Sequence, residues 1–141
     1  MAFLQRMRDT GEEYPPIGRF VQFQIDDISV GHLTGRGTPG DQHYNPLGVV
    51  HGGFASTLLD LALGHVSITA LDDMTKAVST TDLSVKYVRS IYSTIGTMFW
   101  ESHVLHSGKS IVVAEALLKD ADGKLYAMAQ STCMIVSRRD R

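Results

Sequence analysis

The sequence predicts an α+β domain, an antiparallel sheet wrapped around one long central helix. Two observations carry that prediction. Only one stretch, 52–71, has the length and apolar character of a long helix. Beyond it the chain reads as alternating strands on tight turns, and consecutive strands on short turns form an antiparallel meander. With 141 residues, 43% of them hydrophobic, there is material for one core and not for two.

Taken in order, residues 1–18 read as a helical or loose lead-in that stops at Pro15-Pro16, and 19–141 as the single domain. A strand is expected over 19–29, where Phe23 and Ile25 alternate with Gln22 and Gln24, and a shorter one from Val30 towards Gly37. The run TPGDQHYNPLG, with two prolines and two glycines, is a loop. The 52–71 helix would be about 30 Å long at 1.5 Å per residue. Its apolar residues, Phe54 to Ile68, cover most of the circumference, and no Lys, Arg or Glu interrupts them, so it is expected to be buried on most sides. Strands follow over 76–90, 95–106, 109–120 and 125–137; Ser107-Gly108 and Asp122-Gly123 are the tight-turn signals. In the first of these, Leu83, Val85 and Tyr87 alternate with Asp82, Ser84 and Lys86.

Composition removes several functions. The formal net charge is −2 and the 13 Lys and Arg are scattered, so no basic stripe exists for nucleic acid. The single cysteine, Cys133, excludes a disulfide framework, fits a core position in its strand, and points to a reducing compartment. The charged N-terminus lacks a signal-peptide core, and 54–71 is broken by Asp60 and His65, too polar to span a bilayer. A cytoplasmic protein with a small-molecule substrate and no membrane partner is expected. No cofactor and no metal are expected either. The six histidines contain no H-x-x-x-H pair, and the odd spacing of His103 and His106 on a strand should send them to opposite faces. Gly35-Arg36-Gly37-Thr38-Pro39-Gly40 matches a dinucleotide fingerprint by letter, but a loop and not a helix follows it.

Three features carry chemistry. Asp60 is an acid inside the most apolar run of the chain; on the helix it shares a narrow stripe of small residues with Ser56, Gly64 and Ser67. Partial burial would raise its pKa and make it a usable base, whereas the plain alternative is the wet side of the helix. His51-Gly52-Gly53 opens the helix with backbone N–H groups uncovered by side chains, suited to a developing oxyanion, or else makes a sharp turn. Asn45, before Pro46, could orient a water or carbonyl, or simply shape the turn.

Together, Asn45-x-x-Gly48-x-x-His51-Gly52-Gly53 followed by Asp60 resembles the signature of hotdog-fold thioesterases of the phenylacetate-pathway (PaaI-like) type. The resemblance runs from Asn45 to the C-terminus, through Asp82-Leu83-Ser84-Val85-Lys86-Tyr87 and Ser107-Gly108-Lys109. It implies an acyl-CoA thioesterase with the hotdog fold. The Gly52 N–H would polarise the thioester carbonyl and Asp60 would be the catalytic carboxylate. Asn45 and His51 would belong to the same catalytic group. Thr80, or Ser79 or Thr81 beside it, would supply a hydroxyl that positions water or the acid. Gly53, Tyr87, Arg89, Gly108 and Lys109 fall where such enzymes hold coenzyme A.

Helix geometry adds an expectation. Gly52 and Asp60, eight residues apart, are separated by about 12 Å along one helix. A base and an oxyanion donor must both reach one carbonyl. A homodimer with composite sites answers this, and a homotetramer would be typical of the family. The expected reaction is hydrolysis to a carboxylic acid and free coenzyme A, with Asp60 as general base or as nucleophile. The rival readings are a hotdog dehydratase or hydratase and a non-catalytic acyl-CoA binding module. Phe54, Leu58, Met74 and Tyr92 are candidate walls for the acyl group.

Overall fold

The computed structural model describes residues 1–11 and 14–138. Helix α1 (Ala2–Thr10) and a short α2 (Pro16–Phe20) lead into strands β1 (Gln24–Ser29) and β2 (His32–Gly37). Helix α3 (Gly52–Thr69) follows, then β3 (Lys76–Tyr87), β4 (Met98–Ser107), β5 (Ile111–Lys119) and β6 (Leu125–Ser137). The six strands make one antiparallel sheet in the order β1-β2-β4-β5-β6-β3. Helix α3 lies across one face of it, so the α+β hotdog architecture expected from the sequence is present.

Burial explains why α3 carries so few charges. Leu58, Leu59, Ala62, Leu63 and Val66 are all fully buried against Leu33, Met98, Trp100, Ala114, Leu118 and Ala127 of the sheet. Each leucine taken from water in this way contributes roughly 1.5–3 kcal/mol. The stripe read from the sequence is narrower than expected. Ser56, Asp60 and Gly64 remain half-buried, but Ser67 is fully buried and donates to Leu63 O.

The dinucleotide-like glycines serve close packing. A Cβ on Gly35 would sit 2.2 Å from the Trp100 ring, and one on Gly37 2.5 Å from Leu58. The bare backbone of β2 is what lets α3 and Trp100 approach.

One expectation is corrected here. Arg19 and Phe20 belong to α2 and not to a strand: Pro16 sits at the first helical position, where its missing N–H costs nothing, and Arg19 N–H donates to Pro15 O at 3.1 Å. The lead-in takes the helical of its two expected forms, α1, with Leu4 and Met7 fully buried, and α2 runs past residue 18.

His103 and His106 do not lie on opposite faces. The pairing of β4 with β5 slips between Val104 and His106, and one extra residue restores both histidines to one side, opposite Glu115 and Val113. A second bulge, between Thr80 and Asp82 in β3, shapes the candidate site. Among the described residues no helix is long and apolar enough to cross a membrane.

Candidate active site

The N-terminus of α3 is built by the loop before it. Asn45 makes a tight turn in which its Oδ1 accepts from Leu47 N–H at 2.9 Å, while Gly48 adopts φ 78, open to glycine at no steric cost. The side-chain oxygen is thereby committed to the backbone, and the amide NH2 is the donor left for another group. Val50 N–H donates to Ile91 O and His51 N–H to His43 O, so both sides of the loop are anchored.

His51 is the N-cap. Its Nδ1 accepts from Gly53 N–H at 2.8 Å, which puts the ring proton on Nε2. Phe54 N–H donates to His51 O at 2.9 Å. Of the first helical amides, the Gly52 N–H meets no acceptor among the described residues. It stands at the positive end of an 18-residue helix dipole.

Tyr87, at the end of β3, lies over this glycine. A Cβ on Gly52 would be 3.2 Å from the ring. Ser56 Oγ donates to Gly52 O at 3.1 Å, so the contact between Ser56 Oγ and the Tyr87 hydroxyl is one in which Tyr87 donates. Ser56 was not singled out from the sequence as a site residue, although its i+4 spacing from Gly52 is the signal that places it there. Asn45, His51, Gly52, Tyr87 and Arg89 together line one open groove of about 310 Å³. Gly53 faces away from it, into a second, more apolar groove of about 360 Å³ walled by Ile17, Phe20, Phe54 and Thr57.

Asp60 lies two turns further along α3. Its carboxylate, half-buried, accepts from Thr80 Oγ1 at 2.9 Å. The bulge in β3 makes this contact possible. Thr80 pairs with buried Cys133, whereas after the slip Leu83, Val85 and Tyr87 pair with buried Ser131, Ala129 and Ala127. The helix-facing positions are thus even-numbered before the bulge and odd-numbered after it. Of the three hydroxyls left open by the sequence, Thr80 meets the acid and Thr81 instead donates to Thr132 O at 3.0 Å.

The residues expected in the site do not all lie together. Asp60 remains about 12 Å from Gly52 along the helix. Gly108 and Lys109 precede β5, whose first residue Ile111 pairs with Met134, itself opposite Ser79. That is towards the opposite end of β3 from Tyr87, about 24 Å away at 3.4 Å per residue along β6. Among the wall candidates, Phe54 borders the apolar groove, Leu58 is sealed in the core, and Met74 and Tyr92 are largely exposed elsewhere.

Comparison with known proteins matches residues 47–127 to the thioesterase superfamily. A protein of Saccharolobus solfataricus, named as a candidate esterase, is 35% identical over 82 residues, which is 58% of this chain. The match spans 56% of that protein, little more than half its length. Among solved structures, a candidate thioesterase from Ralstonia eutropha, named as phenylacetic acid degradation-related, superposes with a TM-score of 0.83. It is 25% identical, with 94% of this chain and 98% of that one covered. A Streptococcus mutans protein bound to acetyl CoA is 24% identical with a TM-score of 0.78, covering 92% and 98% of the two chains.

Proposed function

The chain belongs to the thioesterase superfamily, and from that premise we propose that it hydrolyses an acyl-CoA thioester to a carboxylic acid and free coenzyme A. The observation that carries this reading is the Gly52 N–H, without an acceptor among the described residues, at a helix N-terminus and on the wall of an open groove. A thioester carbonyl oxygen placed there would gain its strongest hydrogen bond as negative charge develops on it. The Asn45 NH2 and His51 Nε2–H are further donors on the same wall.

Asp60, oriented by Thr80, supplies the other half. As general base it takes a proton from water as the water oxygen bonds to the carbonyl carbon; the C–S bond then breaks and the thiolate leaves to be protonated. As nucleophile it forms an anhydride with loss of the thiolate, and water then cleaves the anhydride. Both routes use the same residues.

Arg89 at the groove mouth suits the phosphates of coenzyme A. The apolar groove beside Gly53 suits the acyl group. Gly108 and Lys109 can join this arrangement only from a second chain, as can Asp60. A homodimer is therefore part of the proposal. It is supported by β3, a 12-residue edge strand with one neighbour, and by Leu83, Tyr87 and Val88 exposed along and just beyond it. Pairing of such dimers into a tetramer would follow the family habit.

The test is thiol release from a panel of short, long and aromatic acyl-CoA substrates. Asp60→Asn should lower kcat by about 10²–10⁴-fold with KM little changed. Thr80→Val, which only frees the carboxylate to turn, should cost less. Wild-type turnover in Asp60→Asn would overturn the proposal.

A further inference from the structure

On the face of the sheet away from α3, His32 of β2 and His103 of β4 are direct cross-strand partners. Glu101, two residues before His103, points the same way. The alternation settles the face, because Leu33, Trp100 and Ser102, next to these residues in their strands, are buried on the helix side. One carboxylate oxygen, Glu101 Oε1, lies 3.1 Å from His32 Nε2 and 3.2 Å from His103 Nε2. The two imidazoles stack with centroids 4.5 Å apart, and one ligand atom from each of the three residues falls within a 4.8 Å span.

Those distances match a coordination sphere. With bonds of about 2.0–2.1 Å, the donor-to-donor edge of a tetrahedral zinc site is about 3.3 Å. Two of the three edges are already close to that value, and the third lies within 4.8 Å. The ligands stand on adjacent paired strands, so little backbone order has to be created on binding. We propose that His32, Glu101 and His103 form a binding site for a borderline divalent transition metal of the zinc class.

The donor set selects the class: two imidazole nitrogens and one carboxylate suit Zn²⁺, Co²⁺ or Ni²⁺, not the all-oxygen preference of Mg²⁺ or Ca²⁺. The dication would replace the two imidazole protons now shared with one oxygen. The next strand adds to the site, for Glu115 of β5 is the cross-strand partner of His103 on the same face. Among the described residues no Lys or Arg is a cross-strand partner of any of the three ligands. All three side chains are a third to a half exposed, leaving a fourth position open to water. The site is remote from the groove at Gly52 and on the other side of the sheet, and a metal here would clamp β2 to β4 and take no part in thioester chemistry.

The experiment is competition for Zn²⁺ against a chromophoric chelator, on full-length protein first stripped with a chelator, with Mg²⁺ as the control ion and the Co²⁺ absorption spectrum as a second readout. One equivalent of Zn²⁺ per chain is expected, with micromolar or tighter affinity and a tetrahedral Co²⁺ spectrum. His32→Ala and His103→Ala should each weaken binding at least about 10-fold, and His103→Gln, which keeps a polar side chain of similar reach, should do the same. His106→Ala, on the same face but outside the cluster, should leave it unchanged. Absence of binding at about 0.1 mM Zn²⁺, or equal binding by wild type and the His32 and His103 variants, would overturn the proposal. No readout depends on hydrolysis, so failure here leaves the thioesterase reading standing.

Discussion

His65 shows how one side chain ties the helix to the core and to pH. Its Nδ1–H donates back to Leu61 O, and its ring stacks on Phe23, which in turn stacks on Trp100 at 4.8 Å. Burial holds its pKa below the usual 6.5, against the opposing pull of the Leu61 carbonyl and the Asp60 carboxylate. In the unfolded chain the ring protonates normally, so below that value the unfolded state carries a proton the folded state refuses. Stability from this residue is therefore full above pH 6.5 and falls as the pH drops below it. Urea unfolding at about pH 5 and about pH 8 should show a slope of at most about 1.4 kcal/mol per pH unit from this group. His65→Phe keeps the stack and should flatten that part of the slope; an unchanged slope would refute the assignment.

At the scale of elements, the approach of β2 to α3 and Trp100 rests on an absence. Gly35→Ala would place its Cβ 2.1 Å from Gln24 O and 2.2 Å from the Trp100 ring, and backbone cannot yield as a flexible side-chain tip can. We expect a loss on the order of 1–3 kcal/mol, read as a lower Tm with the fold retained. Which elements were legible in the sequence follows the same physics. The long helix was readable because its apolar character is sustained over 18 residues, and β6 because its alternation runs through most of 13. Helix α2 was not, since the alternation at Phe23 and Ile25 extrapolates backwards over Arg19 and Phe20. The bulges at Thr81 and Leu105 left no mark either, because an inserted residue changes the face of its neighbours and not their identity. Hence the choice among Ser79, Thr80 and Thr81 needed the structure. So did the pairing of His32 with Glu101, which are 69 residues apart in sequence and meet only through strand order.

The molecule as a whole holds Gly52 and Asp60, the two halves of the proposed site, at a distance its own helix enforces. The turn from Asn45 to Gly53 was legible as a unit, as was Asp60. What the sequence could not supply was their separation from Gly108 and Lys109, which strand register puts at the far end of the sheet. That separation predicts an outcome for mixtures of defective proteins. If each site takes its oxyanion donor from one chain and its acid from the other, a Gly52→Ala chain and an Asp60→Asn chain are defective in different halves. The Ala methyl would press on Tyr87 beside the donor. Each parent homodimer is then impaired at both of its sites. A hybrid of the two concentrates both lesions in one site and leaves the other whole. Unfolding and refolding an equimolar mixture should restore about a quarter of wild-type turnover, because half the dimers are hybrids with one sound site each. Were both halves drawn from a single chain, mixing would restore nothing. The spacing along α3 therefore amounts to a genetic prediction: two inactive alleles of this gene should complement one another.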